Sequence, residues 1–108
     1  MRTLVITDQD VIGFHQWEGA LPEVEFLKYK HRHIFRIRCA FEVGHDDREI
    51  EIFIQEDKIR RYLHKKYLTP CHFWGMSCEM IAKELLQEFN AVWVEVFEDN
   101  RGGARVER

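Results

Sequence analysis

From His31 to Val43 the chain alternates with a period of two, the pattern of a β-strand buried on one side. One face carries His31, His33, Phe35, Ile37, Cys39, Phe41 and Val43; the other carries Arg32, Ile34, Arg36, Arg38, Ala40 and Glu42. This run demands a sheet that covers the first face and leaves the second in water. Its first two inward positions are imidazoles, and an unpartnered polar ring at the margin of an apolar face is costly. Backbone partners would satisfy each ring singly. A metal ion would satisfy both together, and His15, in a strand-like stretch upstream, offers a third ligand. Three neutral imidazoles on Zn²⁺ leave a fourth position open, the coordination of catalytic rather than structural zinc.

The rest of the pattern fits one α+β domain over residues 1–108. Strand character is expected over 2–7 and again over 11–17, with a turn at Asp8-Gln9-Asp10 between them. Residues 18–30, with Gly19 and Pro22, are expected to be irregular. After a turn at 44–47, Glu49 and Glu51 alternate with Ile50, Ile52 and Ile54, which predicts a strand over 48–54. The period then changes: Ile59, Tyr62, Leu63 and Tyr67 predict a helix over 55–67. Residues 68–76, around Pro70 and Gly75, are expected as a loop. Ser77 is a predicted N-cap for a second helix whose buried stripe is Cys78, Ile81, Ala82, Leu85 and Phe89, ended by Asn90. Val92, Val94 and Val96 mark a further strand, and a turn at 100–103 leads to a short last strand over 104–107. Strands at both ends with helices between them predict an antiparallel sheet carrying its helices on one face.

Composition narrows the function classes. A net charge of −3 gives no reason to expect nucleic-acid binding. No apolar stretch approaches a membrane span, and Met1–Asp8 lacks a signal-peptide core, so no membrane partner is expected. Cys39, Cys71 and Cys78 form no C-x-x-C pair, which favours reduced thiols and a cytoplasmic setting.

Other residues carry weaker signals. Glu98 follows Val92, Val94 and Val96 on the core side of its strand. It is either a solvated strand end or a carboxylate for a buried ligand, such as the paired N–H edge of a guanine or pterin. Glu79 lies in the first turn of the second helix, where the helix dipole alone accounts for a negative charge; beside Glu98 it is also a candidate ligand-binding residue. Cys71 and His72 are adjacent, so they seldom aim at one point. Lys28, Lys30, Arg32, Arg36 and Arg38 form a basic cluster that suits a solvated sheet face.

Phe14-His15 followed by His31-Arg32-His33 resembles the zinc-binding F-x-x-x-H and H-G-H segments of the 6-pyruvoyl-tetrahydropterin synthase / 6-carboxytetrahydropterin synthase family. Ser77-Cys78-Glu79-Met80-Ile81-Ala82 is similar to its P-T-x-E-N-x-A helix start, and Val94–Asn100 to its V-x-V-x-E-T strand. The resemblance implies the tunnelling fold: a four-stranded antiparallel sheet with two helices, assembled into an oligomeric barrel with sites between subunits. It also implies Zn²⁺ held by His15, His31 and His33, Glu98 as anchor of the pterin ring, and a lyase acting on dihydroneopterin triphosphate. The chain departs from the family at its proton-moving groups. The usual cysteine falls at Glu25 or Leu27, of which only Glu25 can move a proton. The L-D-H-x-x-L-N segment is largely missing, and His72, with Cys71 before it, is its one candidate replacement. Arg32 replaces the middle glycine of H-G-H. Three readings follow: a lyase, a noncatalytic metal- and pterin- or purine-binding module of the same fold, and a structural interaction protein without metal.

Overall fold

The computed structural model describes residues 1–108. The elements run β1 (Thr3–His15), a 3₁₀ segment (Pro22–Lys28), β2 (His31–Val43), α1 (Ile52–Tyr67), β3 (Cys71–Trp74), α2 (Cys78–Phe89), β4 (Trp93–Glu98) and β5 (Gly102–Glu107). The class is α+β. The sheet is five-stranded and mixed, in the order β3-β1-β2-β4-β5. β3 pairs in parallel with β1, and every other pairing is antiparallel. The expectation of four antiparallel strands is corrected by β3, which forms inside the expected 68–76 loop. Cys71 and Phe73 alternate inward there and are fully buried.

The inward face of β2 is the core. Phe35, Ile37 and Cys39 are inaccessible to solvent and Phe41 nearly so. They pack with Val11 of β1, Val94 and Val96 of β4, Ile59 and Leu63 of α1, and Ile81, Ala82 and Leu85 of α2. Both α-helices thus serve one core. Burying a side chain of this size contributes about 1.5–3 kcal/mol, so the face set by the alternation is also the main source of stability. No helix is long and apolar enough to cross a membrane.

Two further expectations are corrected. β1 runs without a turn at Asp8-Gln9-Asp10. Asp8 forms a bidentate pair with Arg36 on β2 at 2.6 and 3.0 Å, and the Gln9 amide donates to the Glu56 carbonyl at 2.9 Å. These distant partners let polar residues stay in a strand. Residues 48–54 are not a strand. Glu51 caps α1 by accepting from the N–H groups of Phe53 and Ile54 at 3.2 and 3.1 Å, so the helix starts at Ile52. Ile52, Phe53 and Ile54 remain exposed.

The elements beside the site start and stop as their chemistry dictates. Ser77 Oγ accepts from the Met80 N–H at 3.2 Å, a cap that stabilises α2 by about 1 kcal/mol. Asn90 ends α2 in the left-handed region. The β4–β5 turn falls two residues earlier than expected, closed between Glu98 and Arg101 with β5 starting at Gly102, and Asp99 and Asn100 are both at positive φ, a conformation these two residue types tolerate better than most.

Candidate metal centre

β1 and β2 pair in register with His15 opposite His31 and Gly13 opposite His33. All three imidazoles therefore leave the same face, at the end of the sheet where the aromatic core begins. His15 and His33 rest edge-on against Phe35, with ring centroids 5.2 and 5.7 Å away. The metal-binding nitrogens of His15, His31 and His33 lie within 4.8 Å of one another, so the three residues can hold a metal ion.

The second nitrogen of each ring shows how the trio is prepared. His15 Nδ1 donates to the Met76 carbonyl at 2.9 Å, His31 Nδ1 to the Tyr29 carbonyl at 2.8 Å, and His33 Nδ1 to Asp99 Oδ2 at 2.6 Å. A carbonyl or carboxylate on Nδ1 fixes the tautomer that leaves Nε2 with a free lone pair, and ligand histidines are held in this way. His33 Nε2 is buried without a hydrogen-bond partner. Glu98 Oε2 lies 3.3 Å from it but is poorly aligned for a hydrogen bond.

Two of these partners are themselves held. Asp99 accepts the Ile34 N–H at 2.8 Å and donates its own N–H to the Ile34 carbonyl at 2.9 Å, which ties the β4–β5 turn to β2. The Gln16 N–H donates to the Trp74 carbonyl at 2.8 Å, and the Met76 N–H to the Phe73 carbonyl at 3.0 Å. The short strand β3 therefore sets where the Met76 carbonyl meets His15.

Glu98 stands opposite Phe35 in the β2–β4 register and turns toward the imidazoles. Its Oε1 is 3.2 Å from His15 Nε2 and accepts from the Cys78 thiol at 3.5 Å. The hydrogen bond to His15 holds the Glu98 carboxyl below the usual carboxylate range against the opposing effect of burial. Burial pushes His15 down, but its bonds to Glu98 and the Met76 carbonyl outweigh this and leave it above the ordinary histidine value. Burial pushes the Cys78 thiol up to about 12, with Glu98 adding to the effect, so it remains a proton donor.

The trio opens into a cleft of about 720 Å³ whose walls include Trp17, Leu27, Cys78, Glu79, Glu98 and Arg101. That is room for a bicyclic ring with a side chain. Glu79 and Glu98, both expected to bind ligand, line it. Glu25 and His72 do not. Glu25 is exposed on the 3₁₀ segment, where its nearest charge is Lys28 at 3.8 Å. His72 lies across from Phe14 on the outward side of the sheet and stacks on it at 5.8 Å. Cys71 is buried, and burial pushes its thiol up to about 11. Arg36 and Arg38, from the basic cluster, are engaged by Asp8 and Glu95 on the outer face.

Sequence reasoning missed Asp99 and Cys78 as parts of the site. Asp99 follows Glu98 directly and looked like turn chemistry, and Cys78 fits the helix stripe equally well. No known family model matches the chain, and neither does any curated protein.

Proposed function

We propose that the chain is a zinc-dependent lyase of the 6-pyruvoyl-tetrahydropterin / 6-carboxytetrahydropterin synthase type, acting on a pterin such as dihydroneopterin triphosphate. The observation that carries the reading is the set of three imidazoles whose Nδ1 atoms all have oxygen partners and which each offer a ligand nitrogen within 4.8 Å of the others. His15, His31 and His33 would hold the zinc, which when bound would polarise an oxygen on the substrate side chain. Glu79 and Glu98 offer carboxylates in the cleft to the paired N–H edge of the ring. The spacing of the three histidines and the strand ending in Glu98 supply the family resemblance. Buried, unpaired Cys39, Cys71 and Cys78 suit a reducing, cytoplasmic setting.

One observation favours a second reading, a noncatalytic metal- and pterin- or purine-binding module. Neither Glu25 nor His72 lines the cleft of its own chain. In the lyase reading they would act across a homo-oligomer interface, from a neighbouring copy.

Zinc-loaded protein incubated with dihydroneopterin triphosphate separates the two. Conversion to a tetrahydropterin product is expected, and tight binding without product would leave the binding module. Elemental analysis of untagged protein beside His31→Ala tests the common premise: metal near one per chain, lost in the variant. A chain without metal would be the structural interaction protein.

A further inference from the structure

Glu98 is closer to the imidazoles than a ring anchor needs to be. Its two oxygens stand 3.2 Å from His15 Nε2 and 3.3 Å from His33 Nε2. For metal–ligand bonds of about 2.0–2.1 Å, two ligand atoms on one tetrahedral metal are about 3.3–3.4 Å apart. Each oxygen therefore stands at ligand spacing from one imidazole, Oε1 from His15 and Oε2 from His33. The carboxylate lies outside the set of atoms mutually within 4.8 Å, so it would have to close onto the metal from the His15–His33 edge. A hydrogen bond explains the Cys78 contact at 3.5 Å but not the one to His33, whose Nε2 is buried and unbonded. The backbone beneath Glu98 is also fixed, because its carbonyl accepts the Arg101 N–H at 2.9 Å and closes the turn.

We propose that Glu98 is a fourth protein ligand, so that the resting centre is His₃Glu and closed, and an incoming ligand must displace the carboxylate to reach the metal. This rests on the metal reading above and adds a control on access. The displaced carboxylate remains in the cleft, where it becomes the acceptor for the N–H edge of the ring that displaced it. Cys78 holds Oε1 through its thiol and limits how far the carboxylate swings. The arrangement answers a selectivity problem: a ligand with a metal-seeking oxygen but no N–H pair would expose the carboxylate without satisfying it.

Cobalt(II) tests this, because its visible absorption reports coordination geometry and exchange of a ligand. Untagged protein stripped of metal is titrated with Co²⁺ and then with imidazole, a neutral ligand for the fourth position, in wild type, Glu98→Gln and Glu98→Asp. Wild type is expected to resist imidazole. Both variants are expected to take it at least about tenfold more tightly, the scale on which partner groups at metal sites act. Glu98→Asp keeps the charge but shortens the reach, so an aspartate variant that behaves like wild type would reduce the effect to charge and overturn the proposal. Equal imidazole affinity in all three would overturn it too. Failure of wild type to bind Co²⁺ at all would instead remove the metal reading on which it stands. Far-ultraviolet circular dichroism identifies a variant that has not folded, and the other then decides.

Discussion

Glu84 and Glu98 are two carboxylates at the margins of one core, and they are used in opposite ways. Glu84 lies where α1 meets α2 and is saturated. It accepts from Tyr67 at 2.6 Å, Tyr62 at 2.8 Å and Lys66 at 3.1 Å. Burial pushes its pKa up, and these three donors more than reverse that, holding it below the ordinary carboxylate range. Nothing in that cluster is left to bind anything else. At Glu98 the count does not close: three imidazoles have committed one nitrogen each, and two of the remaining nitrogens, on His15 and His33, stand 3.2 and 3.3 Å from its oxygens. Unspent ligand capacity, more than charge or burial, separates a site from a brace.

The sharpest way to break that contrast is to truncate the Glu84 brace and watch the metal centre. Glu84→Ala is expected to lower stability by about 2–3 kcal/mol in chemical denaturation, the scale of hydrogen bonds to a charged group, with metal content unchanged by elemental analysis. Loss of metal in that variant would show that the brace and the site are one unit.

Acid separates the two next. Glu84 has a folded pKa below its unfolded value, so its stabilisation is complete above about pH 4.3 and disappears as pH falls through the depressed value. Metal ligation needs neutral imidazoles, so protons compete with the metal for the ligand nitrogens and binding weakens sooner as pH falls. Metal release, followed with a chelating dye, is therefore expected before acid unfolding followed by circular dichroism. In metal-free protein the sign at His15 is reversed. Its raised pKa contributes stability below the ordinary histidine value that is lost as pH rises through the higher one.

A smaller effect is expected from Asp99→Asn. It keeps a residue type suited to the left-handed turn while removing the charge on His33 Nδ1, and metal affinity should fall by about 10–100-fold. An unchanged affinity would mean that the ring orientation is set by packing on Phe35 alone. The smallest expected effect is that of His72→Ala. It should cost under about 1 kcal/mol and leave metal binding intact. Loss of turnover in that variant would place a neighbour's His72 at the cleft.

The parts of this molecule legible in the sequence are those where one local pattern and burial coincide. β2 is the clearest case, because its period-two face is also the core and ends in the two ligand histidines. α2 is another, with a capping serine, a helical stripe and a terminal asparagine. The parts that could not be read depend on partners far along the chain. Asp8 belongs in a strand only because Arg36 meets it, and Gln9 only because of the Glu56 carbonyl. The alternation around Ile50, Ile52 and Ile54 imitated a strand, whereas Glu51 was a helix cap. β3 is four residues long and takes its meaning from the neighbour it pairs with. For the site, the three ligands were visible, but their carbonyl and carboxylate partners come from three separate segments.

Gly13 has a consequence for how the centre could be gained or lost. It stands across from His33, and a β-carbon there would come within 2.8 Å of the Phe73 ring and 3.0 Å of the Phe35 ring. Both rings are fully enclosed, and the imidazoles lean on Phe35. One added methyl group would tilt the floor under two ligands while every ligand residue stayed in place. The chemistry thus has an off position in the backbone, one codon change from glycine and invisible to any inventory of histidines.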